Sequence, residues 1–513
     1  MKEKEIKPRK TDRLSAGFFV FGIIVSLSWL VIFGGYFLKQ KPKLAGGLED
    51  VRFTHRVERW FGFYQADLPI GYNHLLIQPR GNEYFLTDEM VLKMNLLGEV
   101  SEIRLFMKAV LNLDWTIKQL WLELNSSGGV FSVWVNAYSD RLDIVLRTGG
   151  QKIEREIPIQ SPPYLYTEPV IGEKLRQAGI KTGMKISFPV FEPLTQTVSY
   201  VNLLVEGKEL VELNGKKISA YKVSESWQGQ TEYLWVSEEG EIIKEWHPAG
   251  FSAIKISKDE ALSLLSSSSE LSPDLISAFA VQTDRWIENP RQVKYLKVKL
   301  EGARLDGLDL NGGNQKLRWR VLEVFLPEWN FSEGYKIPFP STGKLKNYLE
   351  PTWQVQSDSP EIISLAKKIA GDEKDCLKVV AKLVRWVSFN IEDALVVSIP
   401  SALEVLRQKK GACKEHTVLF TALARSLGIP TRIVSGLVYS DAYLIKGFYY
   451  HSWAEVWIAD KNRENGRWVA VDPTFNQFPA DATHIRLKIG ELKDMMPLMQ
   501  VVGQIKVRVM EYQ

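Results

Sequence analysis

Cys413 follows Gly411-Ala412 and opens a run to Leu427 in which Cys413, Thr417, Phe420, Leu423 or Ala424, and Leu427 share one helical face. Gly428 and Pro430 end the run, so Cys413 is expected in the first turn of a buried helix. A thiol attacks as the thiolate, and the unpaired N–H groups and dipole of a helix N-terminus favour that form. The same N–H groups suit the oxyanion that forms when sulfur attacks a carbonyl. Downstream, Tyr449 to Trp457 alternates as a strand with His451, Trp453, Glu455 and Trp457 on one face. Arg467 to Asp472 alternates as a second strand, and the polar stretch Asp460 to Gly466 suits a hairpin loop. The hairpin makes His451 and Asp472 expected cross-strand neighbours on a common face. A base held by a carboxylate then needs only a nucleophile, giving Cys413, His451 and Asp472 the roles of nucleophile, base and orienting acid.

Each residue also has a plainer explanation. A buried Cys is commonly a small core hydrophobe, and Asp-Pro-Thr is commonly a turn, so the joint pattern carries the chemical reading. Cys376, amid apolar neighbours in the middle of an expected helix, is read as core filling. His416 falls on nearly the same helix side as Cys413 and is expected to support the site or pack beside it. Trp453 is a substrate-lining or core residue, while Glu455 and His484 are expected to brace the strands. Trp386 and Asn390, upstream of the nucleophile, are further cleft residues to consider. Cys413, His416, His451 and Asp472 are all zinc-ligand types, but no second Cys lies near and a thiolate at a helix N-terminus needs no metal. The expectation is therefore no metal and no cofactor.

Helical spacing over Glu361–Ala370, Lys374–Phe389 and Ala402–Lys409 surrounds the nucleophile helix. From about Asp50 to Phe251 the pattern is instead short alternating runs, such as Phe131–Tyr138, Leu142–Leu146 and Tyr233–Val236, broken at Gly128-Gly129, Gly149-Gly150, Asn214-Gly215 and Glu239-Gly240. This predicts a large antiparallel β domain over 48–262, as a sandwich or an open, clam-like barrel. The Ser-rich stretch 263–273 reads as a linker. Strands Val293–Leu300 and Leu317–Val324 belong to a small β region, 274–345, that packs on a core at 350–495.

Near the N-terminus, Leu14 to Leu38 has no charged residue, a length that spans a bilayer as one helix. Lys2, Lys4, Lys7, Arg9, Lys10 and Arg13 make residues 1–13 a basic tail, and the positive-inside bias places it in the cytoplasm. The bulk of the chain is then expected in the periplasm or outside the cell. With 65 basic and 61 acidic side chains and no basic stripe, nucleic acid is excluded as an expected partner. Two cysteines give no disulfide framework.

The segments Gly411 to Val434, His451-Ser-Trp-Ala-Glu-Val456 and Trp468-Val-Ala-Val-Asp-Pro-Thr474 together resemble the transglutaminase-like superfamily core, in its order and approximate spacing. The resemblance covers 350–495 and implies an α+β papain-like fold with a helix-borne Cys packed on an antiparallel sheet. It implies the nucleophile at Cys413, the base at His451 and the acid at Asp472. Ala412 stands where many relatives carry an acidic residue. The β domain loosely resembles regions attached to such cores in bacterial envelope proteins. The family attacks carboxamides and passes the acyl group to water or an amine. The expected activity is a membrane-anchored peptidase or amidase acting on an envelope protein or peptide. Protein cross-linking by acyl transfer is one alternative. An inactive scaffold that binds an envelope partner through the β domain is the other.

Overall fold

The computed structural model describes residues 56–513 apart from 66, 97–98, 214, 228–229, 272–279, 327, 329–331, 341–342, 395–398, 444, 465 and 499–500. The apolar span Leu14–Leu38 and the basic tail lie outside the described residues. Among the described residues no helix is long and apolar enough to cross a membrane.

Alternating side chains build the first domain. In Arg141–Thr148, for example, Leu142, Ile144 and Leu146 are buried and the residues between them are not. Fifteen such strands form one sheet. Eight run as successive hairpins from Val57–Gln65 to Gln151–Pro158, and seven return from Tyr164–Leu165 to Phe251–Lys255, the last pairing with the first. The inner faces share one core that includes Ile77, Leu105, Val133, Val201 and Leu234. The Ile117 N–H donates to the Pro163 carbonyl at 2.9 Å, tying the two halves together. The domain is thus a single curled sheet, the clam-like alternative.

Two expectations fail here for local reasons. Residues 263–271 are not a linker but continue a helix, Lys258–Leu271, while the last two residues of the expected linker lie outside the described residues. Its start is fixed reciprocally: Ser257 N–H donates to Glu260 at 2.7 Å and Glu260 N–H donates to the Ser257 hydroxyl at 3.3 Å. Ala261 then seats that helix against Tyr72 and Val91, so packing and capping override serine composition. Leu317–Val324, read as one strand, is a hairpin of Gln315–Arg318 and Val321–Phe325, with Trp319 at φ 59° in its turn.

The second domain contains α1 (Pro360–Ala370), α2 (Cys376–Asn390), α3 (Ala402–Gln408) and α4 (Cys413–Ser426). Its sheet contains β1 (Val281–Gln282), β2 (Thr431–Ser440), β3 (Gly447–Ile458), β4 (Arg467–Val471) and β5 (Ile485–Ile489). β3 is flanked by β2 on one edge and by β1 and β4 on the other, and β5 lies beyond β2. Phe420, Leu423 and Ala424 of α4 share a core with Ile433, Ala454 and Val456 of the sheet and with α1 and α2. Cys376 opens α2 rather than sitting within it, because Asp375 caps the helix by accepting Lys378 N–H at 3.1 Å.

A third, small sheet centres on Tyr295–Glu301, paired with Val321–Phe325 and with the C-terminal strand Lys506–Tyr512. Turns of the curled sheet rest on α3. Gln408 donates to the Gly128 carbonyl at 3.1 Å, Arg407 donates to the Gly149 carbonyl, and the Thr148 hydroxyl donates to Glu404 at 3.2 Å. Gly129 sits at φ 120°, a conformation that favours glycine, and a Cβ there would also push aside the Glu404 carboxylate end.

Candidate active site

The start of α4 is made by Gly411-Ala412. A Cβ on Gly411 would fall 2.3 Å from the Glu415 Cβ, so only glycine lets the chain turn so closely over the helix. Ala412 is extended and its N–H donates to Glu415 at 2.9 Å, which places a carboxylate at the positive end of the helix. Cys413 follows as the first helical residue and is buried. The Thr417 hydroxyl, one turn on, lies 2.7 Å from the Cys413 carbonyl and 3.1 Å from the Ser452 carbonyl, pinning the helix start to β3. The Ser452 backbone N–H acts on the Cys413 sulfur and favours its charged form.

His451, next to Ser452 on β3, is buried with its ring stacked 5.0 Å from Phe475. Its Nε2 is 2.7 Å from Asp472 Oδ2. Ala454 pairs with Val471, which puts Asp472 one residue past β4 and diagonal to His451 rather than directly opposite it. The turn after β4 aims the carboxylate, since Oδ1 accepts the N–H groups of Thr474 at 2.7 Å and Phe475 at 3.1 Å. With Nε2 held by Asp472, Nδ1 is the nitrogen through which the ring can exchange a proton with a thiol.

The charge pattern differs from that expected of a helix N-terminus alone. Burial pushes the Cys413 thiol well above its ordinary value. The Ser452 N–H opposes this, while Glu415, Asp472 and Asp393 reinforce it. Burial also lowers His451, against the pull of Asp472. The resting pair is therefore a neutral thiol and a neutral imidazole. Asp472 stays ionised: burial would raise it, but His451 and His484 hold it well below the usual carboxylate range.

His484 contacts the site more directly than a strand brace would. Its Nε2 is 3.0 Å from Asp472 Oδ2 and its Nδ1 is 3.0 Å from the Asp481 carbonyl. Burial disfavours its charge, yet Asp481 and Asp472 raise it to about 9. Arg291 extends the network from the segment before the small sheet, bonding the Thr483 hydroxyl at 3.1 Å and pairing with Asp481 at 3.0 Å. Its guanidinium also covers Phe475 at 4.6 Å.

His416 donates from Nδ1 to the Ala412 carbonyl at 2.7 Å and faces the Ile391 carbonyl, so it secures the start of α4. Glu455 lies between Arg432 Nε at 2.7 Å and Arg486 Nη1 at 2.8 Å, a bracing role. Trp453 is buried at 6.1 Å from the His451 ring and edge-on to His484 at 5.1 Å. Its indole N–H has no acceptor among the described residues. Trp386 and Asn390 bond each other at the end of α2, with Lys409 over the indole.

Sequence reasoning gave no weight to Asp393. Its two-residue strand runs parallel to Lys410–Gly411, with Asp393 opposite Gly411. Oδ1 is covered and has no partner among the described residues. Burial, then the charges of Asp472 and Glu415, raises its carboxyl to about 7. The signal available was its position, a carboxylate at the end of the segment after α2. Only the pairing with Gly411 brings it to Cys413.

His451, Asp472 and His484 are also spaced so that a metal could be held, their ligand atoms lying within 4.8 Å of one another. The two Nε2 atoms that would bind it are the ones that meet the Asp472 carboxylate, so this cluster is closed on itself by hydrogen bonds.

Residues 363–473 match the model of the transglutaminase-like superfamily. A stretch of 157 residues is 27% identical to the uncharacterized protein ML0607 of Mycobacterium leprae, covering 29% of this chain and 53% of that protein. The match thus spans about half the length of that relative. A provisionally assigned cysteine protease of Cytophaga hutchinsonii aligns with 43% of this chain and 86% of its own, at 18% identity and a TM-score of 0.27. A β-barrel-like protein of Brucella abortus aligns with 39% of this chain and 93% of its own, at 9% identity and a TM-score of 0.29.

Proposed function

We propose, from the premise that residues 363–473 are a transglutaminase-like domain, that the protein is a thiol hydrolase acting on carboxamide bonds of a protein or peptide. In this reading Cys413 is the nucleophile, His451 the base and Asp472 the acid that orients it. The observation that carries it is the 2.7 Å pairing of His451 Nε2 with Asp472 on a strand whose next residue, Ser452, is tied by the Thr417 hydroxyl to the start of the Cys413 helix.

The neutral resting pair sets the order of events. As the Cys413 sulfur bonds the carboxamide carbon, its proton passes to His451, and Asp472 stabilises the imidazolium. The first N–H groups of α4 have no acceptor inside the helix and suit the developing oxyanion. His451 then gives the proton to the departing amine as the C–N bond breaks, leaving a thioester. Water, deprotonated by His451, attacks the thioester to release a carboxylate and restore the thiol. An amine in place of water would give cross-linking by the same site.

The reading extends to location on the sequence alone: 14–38 anchors the chain in a membrane, with the remainder outside the cytoplasm. The test is turnover of a glutamine-containing peptide library, read by mass spectrometry with and without a lysine analogue. Hydrolysis lost in Cys413→Ala, and reduced roughly 10²- to 10⁴-fold in His451→Ala, is the expected result. Incorporation of the lysine analogue without hydrolysis would replace the hydrolase with an acyltransferase, and no reaction of either kind would favour a scaffold.

A further inference from the structure

The curled sheet holds a partly open cavity of about 120 Å³. Phe61, Phe63, Leu105, Met107, Leu122 and Phe191 give it apolar walls. One wall follows adjacent strands from Leu122 in Ile117–Ser126 to Glu245 in Ile242–His247. The next two strands in the sheet carry Glu232 and Glu225, which stand opposite one another in register. Relative exposures of 7%, 3% and 3% for Glu245, Glu232 and Glu225 make this a buried row of carboxyls, of which Glu245 lines the cavity and the other two lie next to it in the sheet, Glu225 behind the cavity-lining Tyr166.

Other acids at this cavity are served internally. Asp88 accepts from Asn73, and Glu192 accepts the N–H groups of Leu194 and Thr195. The row is served less fully. Glu232 Oε1 is covered and has no hydrogen-bond partner among the described residues, Glu225 has only the Tyr166 hydroxyl acting on its side chain, and no cation among the described residues acts on Glu225, Glu232 or Glu245. Arg59 and Lys255, the cations that act on nearby Glu168, are both engaged by Glu241. Neighbouring buried carboxyls cannot all ionise without a counter-cation, and an unserved oxygen retains its desolvation cost. Burial accordingly raises all three, Glu225 to about 8. Trp227 and Tyr166, stacked at 4.9 Å, line the cavity beside the row and present aromatic surface suited to a cation.

We infer that this cavity binds an amphipathic cation, an alkylamine or alkylammonium whose chain lies among the apolar walls and whose head lies against Glu245, Glu232 and Glu225. The site is separate from Cys413 and stands whether or not the thiol chemistry is hydrolytic.

The test uses the full chain in phosphatidylcholine nanodiscs, with empty nanodiscs as the blank, titrated calorimetrically with dodecyltrimethylammonium, dodecanol and dodecanoate. The expected result is a single saturable site for the cation, at least about tenfold tighter than for the other two. The double change Glu232→Gln and Glu245→Gln should weaken the cation about tenfold or more while leaving dodecanol binding in place. Met107→Trp, which fills the apolar part without touching the carboxyls, should weaken every chain and keeps the test decisive if the double variant misfolds. Equal or tighter binding of dodecanol or dodecanoate would overturn the inference. So would cation binding indifferent to both variants, or no saturable binding at all.

Discussion

His484 Nε2 stands 3.0 Å from the same Asp472 oxygen that lies 2.7 Å from His451 Nε2. One carboxylate oxygen thus serves two imidazoles in different states. His484 meets an acceptor at each nitrogen and is held charged up to about 9, whereas burial lowers His451. The positive charge of His484 is itself one of the influences that keep His451 low. His484→Gln is therefore expected to raise the pKa of His451, moving the pH inflection of Cys413 alkylation upward. An unchanged inflection would mean that the two rings are electrically independent.

Asp393, opposite Gly411, has a carboxyl raised to about 7 and contributes to the elevated pKa of the Cys413 thiol. Below pH 7 that carboxyl is mostly neutral, so Asp393→Asn should label with a thiol-directed electrophile at the wild-type rate. Above pH 7 the wild-type carboxylate opposes thiolate formation, and the variant should label faster. Rates measured from pH 6 to 9 decide it, and coincident curves at pH 8 would remove Asp393 from the site's electrostatics.

Thr417→Val removes the hydroxyl that joins the Cys413 and Ser452 carbonyls. The expected loss is about 1 kcal/mol in chemical denaturation, with a fall in peptide turnover that Thr417→Ser restores. Turnover equal to wild type in the valine variant would show that α4 and β3 hold their spacing without this link.

The buried carboxyls of the curled sheet make stability depend on pH. Glu225 is raised from 4.5 to about 8, so the folded state binds its proton more tightly than the unfolded state does. Its contribution is complete below pH 4.5 and is lost as pH rises through about 8. Denaturation midpoints should decline from pH 5 to pH 8, and Glu225→Gln should flatten that decline. A slope identical in both proteins would place the titrating groups elsewhere.

The positions of Cys413, His451 and Asp472 were legible because each depends on local pattern: a helix start after Gly411, and two alternating strands around a polar loop. The boundaries of α1 to α4 followed from spacing and stop signals to within two residues at each end. Features set by distant segments were not legible. Arg291 reaches Asp481 across a long stretch of chain, and Asp393 meets Gly411 only once a two-residue strand has paired. The elevated Cys413 pKa was likewise hidden, because sequence displays a helix dipole but not the depth at which the sulfur is buried. The serines after Lys258 misled composition-based reading because a capped first turn and the seating of Ala261 lie outside any serine count.

The hairpin turns at Gly128 and Gly149 rest on α3, which ends only a few residues before Cys413, and the last strand returns to pair with Tyr295–Glu301. Excising 350–495 as a portable cassette would strip Gln408 and Arg407 of their acceptors and leave behind all four strands of the small sheet, along with the strand Val281–Gln282 that pairs with β3. The transglutaminase-like core is thus grafted into its host at both ends, and the unit to take for expression or domain exchange is residues 56–513 together.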